Sequence, residues 1–454
     1  MLMMKDSIKR FFRPSSMRIV LLGIVCIILV GTFFLVLPIT HKDGEWFSVS
    51  DALFTATSCV CSTGLVVAST VDEFNIFGQI VLLLLIQIGG LGFMTGATLI
   101  FMILGKRITL QQRLLLKESF NQYKLQGVVG LIKKILIYTA VIEAVGAFLL
   151  MIPLIPKYGF WSGVFKSVFL SVSAFCNAGF DVIGPQSLTP FVGNVLVILP
   201  IALLIVIGGL GYTVLLEIGG LKRAKKMSLH VKLVLITTAI LIAASSVMFI
   251  VFEWNYAYKD LSAGDKILAG IFQAVTPRTA GFASVDQLKL SDTSMVLTEV
   301  LMFIGASPAS TGGGIKTTTF VVILLSVTGA LRAKRNINVS KERITETMVR
   351  KSLTIITIGI GVVVSSILLV TLFERNNGNA IVTADNIVFE CISAFSTAGL
   401  TRGITPFLTA GSKFVLGLAM FVGRLGPLTV GVALVSTNHK EDKITYPDAK
   451  LLVG

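Results

Sequence analysis

Apolar runs of two lengths alternate along this chain, with polar loops between them. Residues 19–37, 77–104, 135–152, 195–218, 233–252, 294–331, 352–373 and 413–435 form the long runs. Each is near or above the ~20 apolar residues that carry a helix across a bilayer. Between the members of each successive pair lies a run of roughly three helical turns, too short to cross. The order span, short helix, span therefore occurs four times. It predicts eight spans and four re-entrant helices, with Ser50 or Asp51 capping the first short helix and Asp265 the third. The first run is too long for the apolar core of a secretory leader, and no small-residue cleavage site follows it.

A glycine-ended phrase closes each short helix. Ser-Ala-Phe-Cys-Asn-Ala-Gly-Phe begins at Ser173, and Ser-Ala-Phe-Ser-Thr-Ala-Gly-Leu begins at Ser393. Looser echoes end in Arg-Thr-Ala-Gly-Phe at Phe282 and in Cys-Ser-Thr-Gly-Leu at Leu65. The repeated glycines are Gly64, Gly179, Gly281 and Gly399. A repeat at this spacing identifies the unit of the fold. Non-helical backbone at membrane depth survives only when buried in protein or facing water. Glycine lets such backbone adopt positive φ, which a Cβ resists. The expected fold is an all-α membrane protein in which four pseudo-symmetric helix–pore loop–helix units surround one central pore. A plain bundle packed through glycines is the competing architecture. Unit boundaries fall at 19–107, 133–221, 231–335 and 352–436, with a cytoplasmic N-terminal segment at 1–18 and a cytoplasmic tail at 437–454.

The second span of each unit carries a matching mark. It reads Gly89-Gly90-Leu91-Gly92, Gly208-Gly209-Leu210-Gly211 and Gly423-Arg424-Leu425-Gly426 in units one, two and four. In unit three it expands to Gly305, Ala306, Ser307, Pro308, Ala309, Ser310, Thr311, Gly312, Gly313 and Gly314, followed closely by Lys316. From phrase glycine to mark is 25, 29, 24 and 24 residues, a register that supports duplication. The third mark sits inside a run of 38 residues, so it predicts two half-helices joined by a broken segment beneath the pore, in the place of a gate. The glycines before Lys316 do not form a nucleotide-binding loop, because Ile315 intervenes and no strand precedes them.

Composition confirms the solvent. The 454-residue chain is 54% hydrophobic and 14% charged, with a mean hydropathy of +0.87. Of 39 Lys and Arg, 27 fall in five segments that alternate with the loops leading into the phrases. This places both termini in the cytoplasm by the positive-inside rule. It also accounts for the net charge of +15 without nucleic acid. The three histidines are scattered and the five cysteines lack metal or disulfide spacing, so neither an enzyme nor a resident cofactor is expected.

Charges inside the membrane are expensive. Arg424 is expected at the pore axis as a barrier to cations. Arg278 is expected behind the phrase as a clamp. Lys316 either snorkels to the inner surface or serves the broken loop. Glu143 lies mid-span without a partner that the sequence identifies.

Short helices that aim their C-terminal ends at a cavity favour cations. The positions before the glycines hold no carboxylate. They are Ser62 and Thr63, Asn177 and Ala178, Thr279 and Ala280, Thr397 and Ala398, preceded by Cys61, Cys176, Arg278 and Ser396. Selection by backbone carbonyls follows, with potassium the first candidate and sodium the second. The carbonyls expected to hold the ion are those of Thr63, Asn177, Thr279 and Thr397.

These phrases, the run from Ser307 to Phe320 and the segment from Phe421 to Thr429 resemble the Trk/Ktr/HKT superfamily of potassium transporters. Within it, the chain is similar to the membrane (B-type) subunits of bacterial Ktr uptake systems. The resemblance covers essentially the whole chain. It implies a multi-pass protein of a bacterial cell membrane that forms a homodimer and docks a cytoplasmic RCK/KTN-type regulatory ring, which responds to ATP and ADP. It implies a filter at the four glycines, a gating loop from Gly305 to Lys316 and a blocking arginine at Arg424. Uptake in such systems is often sodium-stimulated. Serine at the first glycine goes with sodium transport in the plant branch, so Gly64 favours potassium. Cys61 and Ser62 depart from the Thr-Val pair that is frequent in the family.

Overall fold

The computed structural model describes residues 16–92, 95, 128–224, 227–333 and 336–434. The expected N-terminal segment before residue 16, most of 93–107 and the tail at 437–454 lie outside the described residues. Long outer helices are α1 (Ser16–Val36), α5 (Val128–Tyr158), α9 (Leu229–Glu253) and α13 (Glu346–Phe373). Each is apolar and long enough to cross a membrane, and the bent pair described below makes a fifth span if counted as one. Their outward faces expose Phe33, Phe148, Val251 and Leu368, each more than half accessible, as a lipid-facing surface requires.

Short helices sit between the outer helices and the next spans. They are α2 (Val49–Val60), α6 (Phe160–Phe175), α10 (Ala263–Val275) and α14 (Ala384–Ser396). Their apolar sides fill the core, where Phe169, Phe175, Phe272, Phe389 and Phe395 are wholly buried. A four-residue turn of helix, α3 (Thr70–Glu73), follows the first phrase. The caps differ from expectation. Ser48, not Ser50 or Asp51, occupies the N-cap of α2, and Asp51 instead pairs with Lys413 at 2.7 Å. Ser262 caps α10 by accepting from the Asp265 amide, while its hydroxyl donates to the Asp265 carboxylate at 2.8 Å. At α10 the hydroxyl just outside the helix reaches an orphan amide that a carboxylate within the first turn does not, whereas Ser48 makes no side-chain capping bond.

The inner helices are not continuous. α4 (Ile76–Leu91) stops at Gly92, α7 (Val195–Leu210) stops at Gly211, and α15 (Ala410–Leu425) stops at Gly426. These three glycines have φ of +84°, +96° and +89°, a conformation that ends a helix. Beyond the breaks run α8 (Tyr212–Ala224) and α16 (Pro427–Leu434), and α7 meets α8 at 95°. The third inner element is split, as expected, into α11 (Asp292–Phe303) and α12 (Thr317–Leu331). The inner runs read as spans at 77–104, 195–218 and 413–435 hold helices of 16 residues that end at these glycines, each about 24 Å long against the ~30 Å hydrocarbon core; in unit one most of the run beyond Gly92 lies outside the described residues. A small hairpin of β1 (Ile337–Val339) and β2 (Glu342–Ile344) leads into α13.

Outer and inner helices are tied at one end by a repeated device. In unit three, Glu253 at the end of α9 accepts from the amide (3.0 Å) and hydroxyl of Ser291, the N-cap of α11. In unit four, Glu374 accepts from the amide (2.8 Å) and hydroxyl (2.7 Å) of Thr409, the N-cap of α15. A carboxylate beside a helix N-terminus also meets the positive end of its dipole.

Candidate functional site

The four phrase glycines close into a ring. A Cβ on Gly64 would lie 2.7 Å from the Ala178 carbonyl and 3.0 Å from Gly179 Cα. One on Gly179 would lie 2.7 Å from the Ala280 carbonyl, and one on Gly281 would lie 3.0 Å from the Ala398 carbonyl. One on Gly399 would overlap the Thr63 carbonyl and lie 3.0 Å from Gly64 Cα. Each unit therefore abuts the next in chain order, and the fourth abuts the first. Backbone against backbone leaves no side chain that could yield, which is why glycine stands at all four places.

Backbone handedness repeats with the same period. Ser62, Asn177, Thr279 and Thr397 have φ between +51° and +71°, and the glycines two residues later have φ from +70° to +99°. Non-glycine residues rarely take this conformation, and four at matched positions mark a functional segment. The sign of φ thus alternates along each phrase, positive at the first of these residues and at the glycine but not at the residue between them. Counted by this register, Ser62 matches Asn177, Thr279 and Thr397, while Thr63 matches Ala178, Ala280 and Ala398. The carbonyl set expected from sequence mixed the two levels at Thr63. Its physical correction is that Ser62 carries the left-handed conformation in unit one.

The C-terminal ends of the short helices abut the inner helices. A Cβ on Gly89 would strike the Val60 carbonyl, one on Gly208 the Phe175 carbonyl and one on Gly423 the Phe395 carbonyl. The matched spacing of phrase and mark thus encodes a close contact in units one, two and four. In unit three, Gly305 faces the Gly313 carbonyl of its own loop instead.

Outside the ring opens a cavity of about 400 Å³, lined by the four glycines and by Asp181, Asp286, Lys289 and Arg402 among others. Asp181 directly follows the second phrase in the chain. Nothing local marks Asp286 or Arg402 as sharing its cavity, because separate loops carry them.

Inside the ring lies the unit-three loop. Cβ atoms on Gly312 and Gly313 would collide with the Thr279 and Thr397 side chains. The Gly313 amide donates to Thr397 Oγ1 at 3.0 Å. Asn177 and Thr279 also touch, with Oδ1 of Asn177 accepting from Thr279 Oγ1 at 3.2 Å and its amide nitrogen donating to the Ala174 carbonyl at 3.0 Å. The loop is held by carbonyls that the broken helices leave free. The Ser307 amide donates to Gly209 O at 3.0 Å, Thr311 to Gly208 O at 3.3 Å and Gly314 to Gly423 O at 3.2 Å. Tyr212, just past the break in α7 and α8, donates its amide to Ala309 O at 2.8 Å.

Arg424 reaches into this layer. Its guanidinium donates to the carbonyls of Thr311, Gly89 and Gly90, bridging the loop to the end of α4. Lys316 donates to Gly312 O at 2.6 Å and so turns into the loop rather than away to the inner surface. Arg278 points outward from the ring, with its guanidinium 3.4 Å from Thr238 Oγ1 on α9, the position of a clamp. The remaining loop residues, Ala306, Ser307, Pro308, Ala309 and Ser310, complete the turn between α11 and α12. Within that turn Ser310 Oγ donates to Ser307 O at 2.6 Å. Cys61, Cys176 and Ser396 are buried at the start of their phrases.

Comparison with known proteins agrees with this architecture. The family model described as TrkH, a cation transport protein, matches residues 28–445. The Ktr system potassium uptake protein B of Bacillus subtilis is 41% identical over 100% of both chains. The potassium/sodium uptake protein NtpJ of Enterococcus hirae is 37% identical over 100% of both chains. The crystal structure of the potassium transporter TrkH from Vibrio parahaemolyticus superposes with a TM-score of 0.73 at 19% identity, covering 94% of this chain and 86% of that one. It shares the fold. With a full-length match in sequence and in backbone, the chain belongs to the TrkH family of cation transport proteins and is a membrane transporter, not an enzyme.

Proposed function

We propose that the protein is the potassium-translocating subunit of an uptake system, passing ions passively through one pore at the centre of its four units. The closed ring of Gly64, Gly179, Gly281 and Gly399, with its alternating backbone handedness, carries this reading. A potassium ion sheds its water against the carbonyls of the phrases, including those of Asn177, Thr279 and Thr397, with Ser62 at the same level in unit one. Eight membrane crossings result when each broken inner helix counts as one span, with both termini in the cytoplasm of a bacterial cell. The loop from Gly305 to Lys316 is the gate, and Arg424 supplies the positive charge that opposes a cation beneath the filter. The chain works as a homodimer under a cytoplasmic regulatory ring that binds ATP or ADP. Potassium is the transported substrate, and the names of the Bacillus and Enterococcus relatives support that choice.

Co-expression with such a partner should restore growth of a bacterium lacking potassium uptake when external potassium is low. Correct membrane insertion without rescue would refute the proposal. A second reading, sodium conduction or sodium coupling, draws on the Enterococcus relative's name. It requires sodium flux that persists when potassium is removed, measurable with the same cells.

Arg424→Ala removes the guanidinium that bridges the loop to the end of α4. Potassium flux should rise about fivefold, since even 1 kcal/mol off a barrier is worth that much. A variant that is inserted normally but conducts more slowly would assign Arg424 to structure alone.

A further inference from the structure

We infer that Glu143 is a positioning residue, which holds Arg424 beneath the ring through the final turn of α4. The inference rests on the barrier reading of Arg424. Glu143 lies on α5, half-buried, and its two carboxylate oxygens accept from Gln87 Nε2 at 3.1 and 3.3 Å. Cys176, three residues before Gly179, places its Sγ 3.8 Å from Gln87 Oε1 and 3.9 Å from Glu143 Oε1. The backbone carbonyl of Glu143 accepts from Ser171 Oγ on α6 at 2.7 Å. One polar cluster therefore joins the inner helix of unit one to the phrase of unit two.

Gln87 opens the last turn of α4. Two residues on, Gly89 and Gly90 present the carbonyls that receive Arg424, with Gly90 O at 3.3 Å. Carbonyls in a last helical turn lack intrahelical partners, so their direction depends on where that turn is fixed. Backbone contacts seat it against the end of α2, where a Cβ on Gly89 would strike the Val60 carbonyl, and against the second phrase. A Cβ on Gly90 would come within 2.5 Å of Cys176 Sγ, so the turn lies flush on the second phrase. Beside this pair only the weak thiol donor of Cys176 is at hand among the described residues, so losing the glutamine–carboxylate contact is costly. The residue two before the mark is Val206, Phe303 or Phe421 in the other units, so only unit one is fixed this way. It is also the unit whose freed carbonyls face the arginine.

The test is a set of double-variant comparisons on the full chain with its regulatory partner, read as potassium flux into reconstituted vesicles. Glu143→Leu and Gln87→Leu should each raise flux about threefold, a size of coupling common between contacting networks. Glu143→Gln, which keeps an acceptor for Gln87, should remain near the parent. In an Arg424→Ala background none of these changes should alter flux further. Equal effects in both backgrounds, or parental flux in both leucine variants, would overturn the inference while leaving the barrier reading intact. Unchanged flux in Arg424→Ala alone would overturn both. Should Glu143→Leu fail to insert, Gln87→Leu decides the matter, because an apolar residue already occupies that place in three units.

Discussion

Gly399→Ala should abolish potassium uptake. The added methyl would overlap the Thr63 carbonyl and lie 3.0 Å from Gly64 Cα, with φ already at +82°. Both neighbours are backbone, so relief requires moving unit one as a body. Left-handed strain on a non-glycine residue costs about 1–3 kcal/mol before any overlap is counted. A fall of at least about 100-fold in flux is the expected size, equivalent to roughly 3 kcal/mol in the transport barrier. Gly403→Ala is the control. Its φ is +78°, but its Cβ would meet nothing within 4 Å. It should retain most of the flux. Equal loss in both variants would mean that backbone strain, not closure of the ring, limits transport. Full uptake by Gly399→Ala would remove the ring from the mechanism.

Excision of residues 306–313 should have the second largest effect, in the opposite direction. The structure shows how the cut ends can rejoin. Ile304 and Ile315 already pair through a parallel bridge. A Cβ on Gly305 would lie 3.2 Å from Gly314 Cα, so the two flanks are neighbours without the loop. Helices α11 and α12 can then keep their places. Flux without the regulatory partner should rise about tenfold, the change expected when some 1.4 kcal/mol of barrier is removed. The response to the partner should disappear. A shortened protein that is still switched by its partner would place the gate elsewhere.

Much of this arrangement was legible in the chain because duplication writes the same chemistry four times. The phrase glycines stood out by their repetition and by their capacity for positive φ, which they show; their close approach to one another did not. The register between phrase and mark was also visible, although its cause, Gly89, Gly208 and Gly423 packed on helix-end carbonyls, was not. Helix breaks at Gly92, Gly211 and Gly426 were missed because one glycine hardly lowers the hydropathy of a long apolar run. Its recurrence as the fourth residue of the marks in units one, two and four was the available signal. Thr63 stands one place out of register with Asn177, Thr279 and Thr397, since distance from the glycine sets the level and Ser62 shares their positive φ. The partner of Glu143 lay 56 residues away in another unit, and no local pattern announces such a contact.

The seats of the unit-three loop set an energy scale for switching. Its amides hold carbonyls on α7 and α15, and Arg424 ties it to α4, so lifting it means detaching from all three other quarters of the molecule. Three main-chain bonds at about 0.5–1.5 kcal/mol net apiece come to roughly 2–4 kcal/mol. A nucleotide that distinguished the two conformers by a few hundredfold in affinity would supply that much work. Tighter attachment would leave the conduit shut under any plausible metabolite swing, and looser attachment would let it leak.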